Sequence, residues 1–417
     1  MQTSFSADIK GMQLHKRASF LKRNARSILL LLFFVPFSIN EITANYSFAA
    51  LFFLSKFKAV RNIPFSVLAY IGFIFLSYLY GFFIISQFDP HHITRASLSF
   101  YSYLLFVLLL VIKTDYSTEQ ICKAVLWLSV AYSLYVIVNI AFRPEFALSN
   151  PYYIKGYMRQ YVWDWPQRFP ILVCFSVFYC LKLLQAKKVY LLFLMLLLAC
   201  LFLTFTRSVY LALLCGGFCY IIINFANLVN LKKRYLAIRR SKIKVFLLVI
   251  GFVVILIPCL TYFDQSGSVK MIFERAETSI SSFLTGHEIM EGSDSERIKY
   301  WSNILDVVGS SPLFGSGFGN IYLFESSIGS AHSQYMDMLI RTGYIGLVFY
   351  LFFWVKALYF YLKNDVYIFC GLISIFAYGC FHETTKLTYV GVLFFLLLNK
   401  SFTGNRRRSI HNGGKST

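Results

Sequence analysis

Three cations in this sequence stand where polyanion chemistry would need them. Arg207, in Thr204-Phe-Thr-Arg-Ser208, separates two apolar runs with almost no loop between them. It has no acidic neighbour in sequence and opens a helix, which suits it to meet an anion, although arginines at such edges also serve as snorkelling anchors. Arg297 follows Ser293-Asp-Ser-Glu296, whose spacing is that of a capping box. Near a helix start, amide N–H groups and a guanidinium can converge on phosphate. His332 lies just before the last large apolar helix. A lone loop histidine is ordinarily a bystander, and only its company raises it to a candidate.

Other groups surround these three. Residues 143–169 carry Arg159 and Arg168 among Tyr152, Tyr153, Tyr157, Tyr161, Trp163, Trp165 and Phe169. Such rings form interfacial belts or, with arginines beside them, a platform that stacks on sugars and holds anionic groups. Gly315-Ser-Gly-Phe-Gly319 looks like a phosphate loop, but no strand precedes it and no Lys-Ser/Thr follows. A tight turn that lets backbone approach a ligand is the better reading of Gly315 and Gly317. Asp337 and Arg341, four apart on one helix, are expected to pair. His382, Glu383 and Lys386 crowd a short turn and stay ambiguous.

The elements that must position these residues follow from composition. Of 417 residues, 58% are hydrophobic and only 14% charged, where a soluble chain carries about 25% charged residues. The apolar residues come in runs long enough to cross hydrocarbon as helices, and they do not alternate as barrel strands would. The fold class is therefore an all-α polytopic membrane protein. Spans are expected near 28–40, 43–57, 64–86, 97–113, 121–142, 170–184, 189–206, 208–227, 245–263, 336–355, 366–382 and 388–399. That is about 12 transmembrane helices, or eleven if the first two form a hairpin. No cleavable signal pattern precedes them, since Lys16–Arg26 leads straight into a helix.

The net charge of +21 does not indicate nucleic acid, because the basic residues lie between apolar runs rather than on a soluble face. With the N-terminus inside, 28 of the 40 Lys and Arg residues fall in inside segments, whereas 15 of the 19 acidic residues fall outside. The expected organisation is a cytoplasmic tail 1–27, nine helices over 28–263 with the outside loop 143–169, a large outside loop 264–335, three helices over 336–399, and a cytoplasmic tail 400–417. Within the large loop, 294–308 is expected to be an amphipathic helix presenting Ile298, Trp301, Leu305 and Val308, with Gly309 as its stop. A second surface helix is expected over 269–280. The nine cysteines lie in or beside apolar runs and read as small core residues, with no disulfide or zinc spacing among them.

With these residues in this order, the chain resembles the O-antigen ligase and polymerase superfamily of bacterial inner-membrane glycosyltransferases. The helix layout resembles that family throughout. The matching residues concentrate in 204–211 and 293–347: Arg207 and Leu211; Arg297, Trp301, Pro312, Gly315 and Gly317; then His332, Ser333, Gly343 and Gly346. The resemblance implies a GT-C-like fold and a metal-independent reaction without a cofactor. Its implied donor is an undecaprenyl-diphosphate-linked glycan, and its implied acceptor is lipid A–core or a growing glycan. It implies a bacterial inner membrane, an active site facing the periplasm and both termini in the cytoplasm. Arg207 and Arg297 would neutralise the diphosphate as the glycosidic bond breaks. His332 would take the acceptor proton or only orient a substrate. Arg159, Arg168, Trp301, Gly315 and Gly317 would bind substrate.

Two enzyme readings remain open, a ligase that moves a finished glycan to lipid A–core and a polymerase that joins repeat units, with a chain-length regulator as partner if it is the polymerase. The match around His332 favours ligase. The contrast between the loops, net +2 over 143–169 and −5 over 264–335, favours a polymerase that grips and releases an anionic chain. A transporter would be expected to show internal repeats and midplane charges, and the sequence offers no convincing repeat. Beyond these substrates the expected partners are membrane lipids, not nucleic acid.

Overall fold

The computed structural model describes residues 63–84, part of 97–111, 116–142, 169–203, 207–230, 293–318, 331, 333–382, 384 and 388–412. Among them all regular structure is helical. The helices are α1 (Phe65–Ile84), α2 (Thr118–Phe142), α3 (Pro170–Leu184), α4 (Tyr190–Leu203), α5 (Arg207–Asn230), α6 (Ser293–Ser310), α7 (Gln334–Asn364), α8 (Val366–Tyr378) and α9 (Thr388–Asn412). The expected spans at 28–40, 43–57 and 245–263 and the surface helix at 269–280 lie outside the described residues.

Local chemistry sets the helix ends. α2 opens three residues earlier than the apolar pattern suggests because Ser117 and Gln120 form a reciprocal capping box, with Gln120 N–H to Ser117 Oγ at 3.1 Å and Ser117 N–H to Gln120 Oε1 at 2.8 Å. α3 begins with Pro170 in the first turn, where a missing N–H costs nothing. Asp365 ends α7 and caps α8, its Oδ1 accepting from the N–H groups of Tyr367 and Ile368 at 3.2 and 3.3 Å.

The core is built around α3. Every residue from Pro170 to Leu181 is buried, so this helix touches protein on all sides. Neighbouring helices approach it and one another through small residues. An added Cβ at Gly371 on α8 would strike the Phe175 ring, and one at Gly216 on α5 would meet Ser374, Phe178 and the Cys370 carbonyl. Where hydrocarbon supplies no hydrophobic drive between helices, such close packing and buried hydroxyl pairs supply it. Ser176 Oγ donates to Ser129 Oγ at 2.8 Å.

Outward faces carry the opposite composition. Leu214 and Phe218 on α5 and Val348 and Val355 on α7 are each about two-thirds exposed, with Leu76 on α1 and Leu192 on α4 beside them in kind. Large apolar side chains exposed on four helices suit contact with hydrocarbon. α2 over Thr118–Val138 and α7 are long and apolar enough to cross a membrane, and the other described apolar helices are shorter. α7 is interrupted at Gly343, and the part after the break, 344–364, extends about 32 Å at 1.5 Å per residue, close to the thickness of the hydrocarbon.

Among the described residues, polar contacts between helix ends form two groups. At one end Lys182 Nζ meets Asp365 Oδ2 at 2.6 Å, Tyr361 OH reaches the Leu397 carbonyl at 3.1 Å, and the Asn399 amide donates to the Leu109 and Leu110 carbonyls. At the other end meet 208, 301, 312–318, 331, 333–341 and 379–382. The second group holds Trp301, Gly315 and Gly317 and adjoins Arg207 at the start of α5.

Of the nine cysteines, Cys259 lies outside the described residues; Cys122, Cys174, Cys180, Cys200 and Cys370 are buried, Cys215 and Cys219 half-buried, and Cys380 is exposed in the turn after α8, apart from the core reading. Phe169 corrects a second expectation. It is not part of a sugar platform: it is buried at 1% exposure, its ring centroid 4.3 Å from that of Tyr132. Leu305 also departs from the expected apolar face of α6, being exposed, while Ile304 and Val308 are buried.

Candidate functional site

The site is organised by a break in α7. Gly343 has φ 63° and ψ −167°, so the helix stops and restarts there. A side chain at this position would collide with the Leu313 carbonyl and the Gly315 N–H, which explains why glycine is needed. The hydrogen bond that the break removes is rebuilt from outside. The Ile340 carbonyl would have accepted from Tyr344 N–H in a continuous helix. Instead it accepts from Ser316 N–H at 2.7 Å and Ser316 Oγ at 3.0 Å, while Tyr344 N–H donates to the Pro312 carbonyl at 2.8 Å. Residues 312–318 are thus spliced into the gap.

The same loop is held from its other side by α1. Gly317 lies with its Cα against the backbone of Gly81 and Ser77, and Ser77 Oγ donates to the Arg341 carbonyl at 2.5 Å. Gly315, Gly317 and Gly343 all have positive φ. The neighbours that the first two approach are the backbones of α7 and α1, so the glycines serve loop docking. That carries the tight-turn reading further than the sequence could.

Below the break lies a fully buried ion pair. Arg341 Nε donates to Asp337 Oδ1 at 2.8 Å, both side chains being 0% exposed. The Tyr103 hydroxyl donates to Asp337 Oδ2 at 2.6 Å, Gln334 Nε2 donates to that hydroxyl at 2.9 Å, and Arg341 Nη1 donates to the Phe318 carbonyl at 3.0 Å. Burying two charges is costly unless geometry and further hydrogen bonds compensate, and here both carboxylate oxygens are engaged. The expected pair is present, but it does more than join one turn of helix to the next. It ties the end of the 312–318 loop to the first turn of α7.

That first turn adjoins His332. Trp301 on α6 donates its indole N–H to the Ala331 carbonyl at 3.1 Å. Gln334 N–H donates to the Gly379 carbonyl at 2.8 Å, and Ser333 Oγ to the same carbonyl at 3.4 Å. The residues on both sides of His332 are therefore anchored, one to α6 and the other to the end of α8. His332 itself lies outside the described residues, as do Arg159 and Arg168. Arg297 occupies α6 one turn before Trp301, and Arg207 is the first residue of α5. Next to Arg207, Ser208 Oγ is 3.0 Å from His382 Nε2. The backbone thus brings the start of α5, the middle of α6, the end of α8 and the start of α7 to one end of the bundle. Among the described residues no three of His, Cys, Asp and Glu gather as a metal site would require.

Residues 192–351 match the family model described as O-Antigen ligase. The resemblance to the O-antigen ligase superfamily read from the sequence holds over that segment. A search of curated proteins finds no match. The O-antigen ligase segment contains Arg207, Arg297, Trp301, Gly315, Gly317 and His332, and excludes Arg159, Arg168 and His382. Among the described residues, the chain shares with membrane proteins two helices long and apolar enough to cross a bilayer and several shorter apolar ones.

Sequence reasoning missed Ser77, Tyr103 and Gln334, which hold the loop and the ion pair. A polar residue inside an apolar run was the available signal for Ser77. Tyr103 lies in an aromatic-rich helix and gives none.

Proposed function

We propose that this protein transfers a glycan from undecaprenyl diphosphate to a sugar hydroxyl of lipid A–core at the periplasmic face of the inner membrane. The observation that carries the reading is the convergence at one end of the bundle. The spliced 312–318 loop, the α7 start beside His332 and the α5 start at Arg207 meet there, and all lie within the O-antigen ligase match.

In this reading Arg207 and Arg297 hold the donor diphosphate, whose negative charge grows as the glycosidic bond breaks. Guanidinium groups fixed in advance stabilise that charge without reorganising. The acceptor oxygen forms a bond to the anomeric carbon while the bond from that carbon to the phosphate oxygen breaks. The electron pair leaves with undecaprenyl diphosphate, and the acceptor proton passes to His332. Trp301 and the Asp337–Arg341 pair fix the two segments that flank His332. Arg159 and Arg168 hold the anionic parts of the glycan, and the glycines 315 and 317 let the loop seat between α1 and α7. The reaction as written uses no cofactor or metal.

The surface polysaccharide of a deletion strain tests the assignment. Loss of a ligase leaves long glycan on undecaprenyl diphosphate and bare core. Core capped by a single repeat unit would instead make the protein a polymerase, the reading that the loop-charge contrast favours.

A further inference from the structure

His382 lies outside the segment that matches the O-antigen ligase family, yet it occupies a junction of the site. Its ring stacks on Tyr378 with centroids 4.5 Å apart and planes 23° from parallel. Its Nε2 meets Ser208 Oγ at 3.0 Å, and Ser208 is the residue after Arg207. The turn that carries His382 begins at Gly379, whose carbonyl takes the Gln334 N–H and the Ser333 hydroxyl beside His332. The turn is itself anchored, with His382 N–H donating to the Tyr378 carbonyl at 3.1 Å and Tyr335 OH to the Phe376 carbonyl at 2.7 Å. One short turn therefore grips the start of α5 through His382 and the start of α7 through Gly379.

We propose that His382 is a positioning residue, which sets Arg207 at the start of α5 relative to the start of α7 through its bond to Ser208. This rests on the proposed roles of Arg207 and His332. A diphosphate bridging an arginine and a reacting centre tolerates little error in their separation, and a misplacement of about 1 Å can cost on the order of 100-fold in rate. A ring that only packed against Tyr378 would not need a hydrogen-bonding edge turned to Ser208.

The test uses the full-length protein in lipid nanodiscs, with polyprenyl diphosphate as the binding probe and glycan transfer as the turnover assay. His382→Phe keeps the stacking and loses the bond, Ser208→Ala loses the bond from the other side, and His382→Gln keeps a hydrogen-bonding group. His382→Phe and Ser208→Ala should each weaken probe binding and transfer by about tenfold, as loss of one positioning hydrogen bond allows. Combined, they should do no worse than either alone, and His382→Gln should recover most of the loss. In an Arg207→Lys background, His382→Phe should add less than about twofold, because the residue it positions is already impaired. Wild-type behaviour of both His382→Phe and Ser208→Ala overturns the inference. So does a full tenfold loss that persists in the Arg207→Lys background, since His382 would then act independently of Arg207. Should His382→Phe fail to fold, Ser208→Ala in the two backgrounds decides alone. If Arg207→Ala retains wild-type binding and transfer, the functional reading fails instead, and the His382 inference falls with it.

Discussion

Gly343→Ala is the substitution that most sharply probes how the site is assembled. At φ 63° and ψ −167° the backbone occupies a region nearly restricted to glycine, and forcing another residue there costs about 1–3 kcal/mol. The new methyl would also press on the Leu313 carbonyl and the Gly315 N–H, an overpacking worth about 1–3 kcal/mol more. Together these amount to roughly 2–6 kcal/mol, a large share of the typical net stability of about 5–15 kcal/mol. Relief is available locally: the 312–318 loop can undock and give up the Ser316–Ile340 and Tyr344–Pro312 bonds. We therefore expect the melting temperature of the purified protein in detergent to fall by several degrees and glycan transfer to be lost. Gly309→Ala is the matched control. Nothing lies within 4 Å of a Cβ added there, and within a helix alanine is favoured over glycine by up to about 1 kcal/mol. That variant should melt at or slightly above the wild-type temperature with transfer intact. If Gly343→Ala and Gly309→Ala behave alike in both measurements, the loop is not seated in the α7 break and the account of the site is wrong.

Three further outcomes are expected. Arg207→Ala and Arg297→Ala should each abolish glycan transfer while leaving membrane insertion unchanged, and Lys at either position should rescue only partly for want of the bidentate fork; a fully active Ala variant removes that residue from the site. Arg341→Met should destabilise the protein by about 3–5 kcal/mol by leaving the Asp337 charge buried alone, whereas Arg341→Met with Asp337→Leu should recover much of it; unfolding in denaturant measures both, and a double variant as unstable as the single one contradicts the ion-pair account. Single-cysteine labelling at Ser293, in an otherwise cysteine-free protein, should succeed with an impermeant reagent on intact spheroplasts, and labelling only after lysis would reverse the topology.

Much of the frame was legible because hydrocarbon imposes a simple rule on sequence. The 15 residues of α3 coincide with the expected 170–184, and α4 and α5 begin within a residue of expectation. Ends set by polar groups were less legible. α7 runs to Asn364 rather than stopping near 355 because Lys356 lays its ammonium over the Phe402 ring at 3.6 Å and Tyr361 is buried, so neither interrupts the helix as the hydropathy pattern suggests. α9 likewise continues to Asn412, into the expected tail. α8 ends at Tyr378 rather than 382, and the chain turns there into the Gly379 contact with α7. The Asp337–Arg341 pair was readable from its spacing of four, and α6 from its capping box and periodicity. The break at Gly343 was not, because its cause is a loop about thirty residues earlier in the chain that supplies the missing hydrogen bonds. The same holds for the link between Ser208 and His382, 174 residues apart, which no local pattern announces.

The central claim is that a lipid-diphosphate donor is held by Arg207 and Arg297 and that its glycan is passed to an acceptor hydroxyl with His332 as base. The most direct measurement is made on purified wild-type and His332→Ala protein in nanodiscs, reading affinity for the undecaprenyl-diphosphate-linked donor beside turnover onto lipid A–core. The account predicts donor affinity within a few-fold of wild type and turnover reduced by about 10²–10⁴-fold, the usual effect of removing a positioned base. Turnover near the wild-type value in His332→Ala, or affinity and turnover collapsing together, would contradict it.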